Sequence, residues 1–418
     1  MLPSNLFFKV YLGYFLLLVI LPVESAINVK SSSWIFYGLI IFCAFAGLKM
    51  AENFQSIHTD FVKKDVDWRW LVNFITFASS IGVFLLVIDR YFIRGVDVGL
   101  NSMEAREAIE QAGSGFVSML AAYFSSFAAF NYIVIFVAKK KGVLFSGWYV
   151  IISIINLLLY VYMSVSLGSR MLLFVVFLLH LFCFLLFHQG KFRIKNYIYI
   201  CFASIVMLFL FAIIFMNRLS LMEFSPLDSL QISAYAFALR PSDYVLKFLY
   251  GNDLLESVGA SLYSIVLYIF HGTYEFFYLL QNFEKYYTYG SETFWLPVKI
   301  VDSIFHVVEK NDLESLTGYR SGIFTTFAGP LYVDFGVFSP IIIFIIYYFM
   351  GLPCKKYYCE GDEWIFIYLQ CLVIVVVSPV ISLLQSASGV YLFMAGLSVI
   401  VFYKIKNIFI IQNNMFSK

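Results

Sequence analysis

The segment WLVNFITFASSIGVFLLVI, residues 70–88, contains no charged residue. A helix needs about 20 mostly apolar residues to cross the hydrocarbon core of a bilayer, and this segment meets that length. Nine further apolar runs follow the same pattern, some of them shorter: Leu6–Val23, Trp34–Leu48, Phe116–Val137, Val143–Val165, Met171–Phe187, Tyr197–Met216, Val337–Leu352, Trp364–Leu384 and Val390–Tyr403. The sequence therefore predicts an all-α polytopic membrane protein with about ten transmembrane helices.

The composition of the whole chain supports this class. Of its 418 residues, 61% are hydrophobic and 13% are charged, whereas a soluble domain has about 45–50% apolar and about 25% charged residues. Neither a phosphate-binding P-loop nor a Rossmann glycine pattern occurs, and nothing indicates a nucleic-acid partner. The first apolar run exceeds the 7–15 residues that are typical of a signal-peptide core, so we expect an uncleaved first helix.

The lysines and arginines of the short loops predict the orientation. If both termini are cytoplasmic, 16 basic residues lie inside and 12 outside, and every short inside loop is basic. We therefore expect both termini in the cytoplasm, with spans 1–7 in residues 1–216 and spans 8–10 in residues 337–418. Residues 217–336 form one large extracytoplasmic loop in this prediction, and they are the expected substrate region.

Lysine and arginine are distributed differently between the two sides. Of 19 lysines, 14 are predicted inside, whereas 7 of 9 arginines are predicted outside: Arg90, Arg94, Arg106, Arg170, Arg218, Arg240 and Arg320. The planar guanidinium donates two parallel hydrogen bonds to phosphate or carboxylate oxygens. This asymmetry indicates an anionic ligand at the outer face. The alternative is that these side chains are interfacial anchors that extend to the lipid headgroups.

Residues Ser261–Phe283 are apolar but carry a periodic set of polar and amphipathic positions: Ser264, Tyr268, His271, Glu275, Tyr278 and Asn282. Steps of three and four residues place all six on one face of an α-helix. This pattern predicts an interfacial or groove-lining helix within the large outer loop. Its aromatic residues suit stacking on sugar rings, and equally suit an interfacial aromatic belt.

The segment LTGYRSGIFTTFAGPLYVDFG, residues 316–336, precedes the next apolar run. Its four glycines and Pro330 predict a folded, non-helical path. Asp334 lies close to the predicted membrane boundary, where an unpaired carboxylate is unfavourable. We expect it to pair with an outer arginine or to cap a helix. If it is free, it is a candidate general base.

Three segments resemble the O-antigen and capsule repeat-unit polymerases of the Wzy type. They are DRYFIRG (residues 89–95), GSR (residues 168–170) and TTFAGPLYVDFG (residues 325–336). Arg240 and Gly251 also enclose ten residues, a spacing found in outer loops of some members. The resemblance implies a protein of the bacterial inner membrane with residues 217–336 in the periplasm. It also implies transfer of a growing glycan from undecaprenyl pyrophosphate onto a lipid-linked oligosaccharide repeat unit at that face. It further implies a flippase and a chain-length regulator as possible partners.

This reaction implies roles for particular residues. Donors for the pyrophosphate are expected among Arg170, Arg240 and Arg320, then Arg90 and Arg94, with Arg218 and Tyr319 as further candidates. The general base is expected among Glu275, His271 and Asp334. We expect no cofactor and no metal, because the outer histidines, His271 and His306, are far apart in the sequence and lack an adjacent ligand group.

Three other functions remain open. An O-antigen ligase uses the same donor but transfers the glycan to the lipid A core, and the sequence discriminates poorly between the two enzymes. A lipid-linked oligosaccharide flippase usually has charged residues within its spans, whereas here only His180 and, near one end, Lys9 fall within an apolar run. A non-enzymatic scaffold of a glycan-assembly complex would tolerate replacement of Arg170 by lysine.

Overall fold

The structure is a computed structural model that describes residues 2–54, 66–97, 101–113, 115–167, 169–188, 194–220, 225–250, 255–283, 287–305, 320, 323–359 and 361–416. It is 81% helical, which confirms an all-α membrane protein. The helices of the N-terminal half are α1 Pro3–Ile20, α2 Ser31–Asn53, α3 Trp68–Val87, α4 Ser102–Ala112, α5 Phe116–Ser125, α6 Ala128–Lys140, α7 Gly147–Val165, α8 Met171–Phe187 and α9 Ile194–Ser220. A π-helical turn, Ile88–Ile93, extends α3.

The remaining helices include several short ones. They are α10 Pro226–Ile232, α11 Asp243–Leu249, α12 Ala260–Asn282, α13 Trp295–Phe305, α14 Ala328–Phe335, α15 Ser339–Cys359, α16 Ile365–Val377 and α17 Ala387–Phe416. A 3-10 turn, Ala234–Phe237, leads into strand β2, Leu239–Pro241, which pairs antiparallel with β1, Val23–Ser25. The predicted non-helical path is wrong from Ala328 onward, because Gly329 and Pro330 lie in the first turn of α14. Proline is tolerated there, since the first backbone N–H groups of a helix have no partner within it.

Eight helices among the described residues are long and apolar enough to cross a membrane: Pro3–Ile20, Ser31–Asn53, Trp68–Ile93, Phe116–Lys140, Gly147–Val165, Ile194–Ile214, Ala328–Cys359 and Ala387–Phe409. Each overlaps one of the ten predicted spans. The other two predicted spans correspond to shorter helices, α8 with 17 residues and α16 with 13. Helix α16 ends at Val377, two residues before Pro379, which disfavours helical backbone in the residue that precedes it. A count of ten spans stays a prediction.

The chain divides into two compact units. The first unit comprises Met1–His58, Phe209–Lys355 and Cys371–Val390, so the predicted periplasmic loop belongs to it together with α1 and α2. Its core packs α12 against α1, where Phe270 lies on Tyr14 with ring centroids 4.8 Å apart. The β1–β2 pairing places Arg240 opposite Glu24 and thereby holds the segment that follows the 3-10 turn.

The second unit comprises Thr59–Leu208, Lys356–Gln370 and Tyr391–Lys418. Helices α3, α6 and α7 share a buried polar network in which Asn131 accepts a hydrogen bond from Thr76 (2.8 Å) and donates one to Ser79 (2.8 Å). Asn156 donates to Ser79 as well (3.0 Å). Such hydrogen bonds between helices are favourable in an apolar surrounding, where no water competes for the polar groups.

Gly82 permits the close approach of α3 and α5. A Cβ atom at this position would lie 2.1 Å from the backbone carbon of Phe124. We expect Gly82→Ala to lower the thermal unfolding temperature of the detergent-solubilised protein, because overpacking typically costs about 1–3 kcal/mol. Gly38→Ala in α2 is the matched control, since nothing lies within 4 Å of its Cβ position. Equal melting temperatures for the two variants would contradict this packing.

Candidate active site

Helix α12 spans Ala260–Asn282, within one residue of the prediction at each end, and it is not among the eight candidate spans. Its predicted polar stripe faces the protein interior. Ser264, His271 and Glu275 are buried, Tyr268 and Tyr278 are half-buried, and only the terminal Asn282 is exposed. The stripe therefore contacts protein rather than lipid over most of its length.

Glu275 is the ionisable group at the centre of this stripe. The residue is 2% exposed, and its Oε1 accepts a hydrogen bond from Nη1 of Arg320 at 2.6 Å. Burial raises the pKa of the Glu275 carboxyl to about 7, and the positive charge of Arg320 opposes that rise. The carboxyl group therefore titrates close to neutral pH, where a general base is most effective.

His271 lies one helical turn before Glu275 and is completely buried. Its Nδ1 contacts the carbonyl oxygen of Leu267 at 3.1 Å and must donate to it, because a carbonyl oxygen only accepts. Burial, with a smaller contribution from the charge of Arg320, lowers the pKa of the imidazole to about 4. The ring is therefore neutral at pH 7, and Nε2 carries a lone pair. Among the described residues, Nε2 has no hydrogen-bond partner.

Aromatic rings surround these polar groups. The Arg320 guanidinium lies over the ring of Phe237, with 4.0 Å between its Cζ and the ring centroid, a favourable cation–π distance. Phe237 also packs on Tyr278, and Tyr235 lies 4.5 Å from the His271 ring. We call His271, Glu275, Arg320 and the four rings of Tyr235, Phe237, Tyr268 and Tyr278 the α12 site.

Arg240 contacts the same 3-10 turn that contributes Tyr235 and Phe237. Its Nε donates a hydrogen bond to the carbonyl oxygen of Ala236 at 3.1 Å, and the residue itself is exposed. Arg240 and Arg320, two of the predicted phosphate ligands, therefore contact adjacent residues of one turn. The structure thus brings Arg320 together with two candidate bases, Glu275 and His271, and Arg240 contacts the turn that carries Phe237.

Asp334, the third candidate base, is in a different environment. It is fully buried and accepts hydrogen bonds from Oγ1 of Thr288 (2.5 Å) and from the backbone N–H groups of Glu292 (3.0 Å) and Thr293 (2.7 Å). Its partners are loop groups rather than the expected arginine. Because these donors occupy both carboxylate oxygens, Asp334 holds the loop around residue 290 against α14.

Three of the four predicted outer arginines in the second unit, Arg90, Arg106 and Arg170, lie at the connection between α7 and α8. Arg90 is 6% exposed and donates from Nη1 to Ser166 Oγ at 2.7 Å, so it is not a lipid-facing anchor. Arg106 donates to the carbonyl oxygen of Leu167 at 2.6 Å. Arg94 forms an ion pair with Asp89 at 3.0 Å. Arg170 is the last residue of this connection and immediately precedes α8.

The structure does not describe every residue that the sequence analysis singled out. Tyr319 and His306 lie outside the described residues, and Arg218 lies in α9 without a described side chain. Among the described residues, no group of three or more histidine, cysteine or acidic side chains has the arrangement of a metal site. Tyr235 and Phe237 were not predicted, because their sequence positions give no indication that they pack on α12.

The chain was also compared with known proteins. A scan against protein-family models, a search of curated proteins and a search of solved structures each found no match.

Proposed function

We propose that this protein is a polysaccharide polymerase. It transfers a growing glycan from undecaprenyl pyrophosphate onto a lipid-linked oligosaccharide repeat unit at the periplasmic face of the bacterial inner membrane. The observation that carries the proposal is the buried Glu275, with its pKa raised to about 7, in an ion pair with Arg320 and one turn from neutral His271.

The reaction needs a base and a group that stabilises the leaving anion. A hydroxyl group of the acceptor sugar attacks the anomeric carbon of the donor, and Glu275 takes the hydroxyl proton. The bond between the anomeric carbon and the pyrophosphate oxygen breaks, and its electron pair leaves with the lipid pyrophosphate. Arg320 stabilises the negative charge on this leaving group by donating hydrogen bonds to its oxygens.

The ion pair links these two roles. Arg320 lowers the pKa of Glu275 in the resting site. When the guanidinium moves toward a phosphate, the carboxylate loses that stabilisation and becomes a stronger base. In the proposed reaction, Nε2 of His271 accepts a hydrogen bond from a sugar hydroxyl, and a pyranose stacks on one of the neighbouring aromatic rings.

A reconstituted assay tests this function directly. The full-length protein in liposomes is supplied with undecaprenyl-pyrophosphate-linked repeat units, and the products are separated by size. A ladder of products longer than one repeat unit supports the proposal. Deletion of the gene gives a second test: lipopolysaccharide with a single repeat unit indicates a lost polymerase, whereas lipopolysaccharide without any repeat unit indicates a lost ligase and contradicts the proposal.

Arg170→Lys tests whether the second unit makes an arginine-specific contact with the substrate. Lysine keeps the charge but lacks the planar fork of donors. We expect at least about a tenfold loss of polymerisation, because hydrogen bonds to charged groups contribute about 1.5–3 kcal/mol. Arg69→Lys at the opposite predicted face is the matched control and should retain full activity. Full activity of Arg170→Lys would indicate that this position serves only topology.

A further inference from the structure

The second unit, which does not contain the α12 site, has a cavity of about 420 Å³ between α6, α8 and α9. This volume lies within the range of about 300–1,000 Å³ that is common for pockets that bind small molecules. Each helix contributes to the lining: Tyr132 and Phe136 come from α6, His180 and Phe184 from α8, and Tyr199 and Ala203 from α9. The proposed glycosyl transfer uses none of them.

The wall of the cavity carries no formal charge. Nδ1 of His180 lies 2.8 Å from the carbonyl oxygen of Val176 and donates to it, so the neutral ring has no proton on Nε2. Nε2 is buried and has no hydrogen-bond partner among the described residues. The other lining side chains are aromatic or aliphatic, together with the thiol of Cys183. A charged ligand group would lose its hydration in this cavity without compensation, whereas a hydrocarbon chain would not.

The position of the cavity along the helices determines what surrounds it. Helices α6 and α9 are parts of candidate membrane spans. Tyr132 and Phe136 precede Lys140, the last residue of α6, by eight and four residues, and Tyr199 follows Lys195 by four. At 1.5 Å per residue, the lining lies roughly 6–12 Å below the helix ends that carry these lysines. This depth corresponds to lipid chains just beneath the headgroups.

Two lysines, Lys140 and Lys195, lie at the helix ends nearest to the cavity. Lys140 Nζ lies 5.6 Å from the ring centroid of Phe136, which lines the cavity. Lys195 is one helical turn from Tyr199 and therefore on the same face of α9. Both lysines are exposed, whereas the neighbouring Lys141 forms an ion pair with Asp362. Basic residues at the membrane surface attract anionic lipid headgroups.

The exposure of α9 fits a lipid in this position. Only 6% of the residues in its apolar window are buried in the protein. An acyl chain that fills the cavity would contact Tyr199, Ile200 and Ala203 of α9 and, at the same time, the lining residues of α6 and α8. We infer that the cavity binds one acyl chain of an anionic phospholipid, whose phosphate pairs with Lys140 and Lys195.

Native mass spectrometry of the full-length protein tests this site. Detergent micelles containing the protein are supplied with phosphatidylglycerol or with phosphatidylcholine, and the bound lipid is counted by mass. We expect one retained phosphatidylglycerol and no comparable retention of phosphatidylcholine. Lys140→Gln and Lys195→Gln should each weaken binding about fivefold, since one basic residue contributes about 1 kcal/mol at an anionic surface. Lys30→Gln and Lys247→Gln, at exposed lysines elsewhere, are the matched controls.

A side chain that fills the cavity tests the binding of the acyl chain separately from the binding of the headgroup. Ala203→Phe should abolish retention, whereas Ala212→Phe on the same helix should not. A phosphatidylglycerol with a photoreactive group in the middle of one acyl chain should label the α8 peptide that contains His180. This experiment uses the unmodified protein, so it does not depend on the folding of a variant. Equal retention of both lipids, or labelling that avoids α6, α8 and α9, would overturn the inference.

Discussion

Glu275→Gln is expected to abolish polymer formation, with a loss of about 10²–10⁴-fold in the reconstituted assay. General acid–base groups contribute rate factors of this size. Glutamine preserves the shape of the side chain and can still accept a hydrogen bond from Arg320, but it cannot take a proton from the acceptor hydroxyl. The measurement is the initial rate of product lengthening at saturating lipid-linked repeat unit.

The control for this variant is Glu292→Gln. Glu292 lies in the same unit, and burial together with the nearby Asp334 also raises the pKa of its carboxyl. It has no part in the proposed reaction, and the variant should keep near-normal activity. The opposite pattern, an active Glu275→Gln and an inactive Glu292→Gln, would move the base to the Asp334 loop and refute the α12 site.

Glu275 also makes stability depend on pH. Its carboxyl binds a proton more tightly in the folded chain, where the pKa is about 7, than at the ordinary value of 4.5. The folded state therefore holds more protons than the unfolded state between these values, and stability falls as pH rises through that window. Above about pH 7 this contribution stays constant. Glu275→Gln should remove this pH dependence from thermal melting curves, which also shows that the variant is folded.

The sequence predicted helix α12 well because its periodicity is a local property. Steps of three and four residues between polar positions determine one helical face, and the buried Ser264, His271 and Glu275 lie on it. The partners of that face depend on tertiary packing. Nothing in the sequence indicates that Phe237 packs on Tyr278 and against Arg320, since these residues come from three separate segments.

At other positions, predictions from the local sequence differ from the structure. Glycine and proline at residues 329 and 330 predicted an irregular path, yet the first turn of a helix accepts both residues and α14 begins there. The hydropathy of Trp364–Leu384 predicted a full span, which stays a prediction; its helix α16 has 13 residues and ends two residues before Pro379. Asp334 was expected to pair with an arginine or to cap a helix, whereas the backbone N–H groups of a loop nearby in space donate to it. Such a choice of partner follows from tertiary structure alone.

Replacing Arg320 separates its two proposed roles. Arg320→Gln removes a positive charge that lowers the pKa of Glu275, so the pKa should rise above its present value of about 7. Because the base must be ionised, the acid limb of the pH–rate profile should shift to higher pH. The maximal rate at high pH should also fall, by about 10²–10³-fold, because a donor to the leaving pyrophosphate is lost.

Arg320→Lys and Arg240→Gln distinguish charge from geometry. Lysine keeps the positive charge beside Glu275, so the acid limb should stay near pH 7 while the maximal rate falls, because the planar pair of donors is lost. Arg240 has its described hydrogen bond to Ala236 rather than to Glu275, so Arg240→Gln should lower the rate without moving the limb. If the acid limb of the pH–rate profile does not move in Arg320→Gln, then Glu275 is not the group that titrates in the reaction. That result would also contradict the proposed coupling between Glu275 as base and Arg320 as donor to the leaving group.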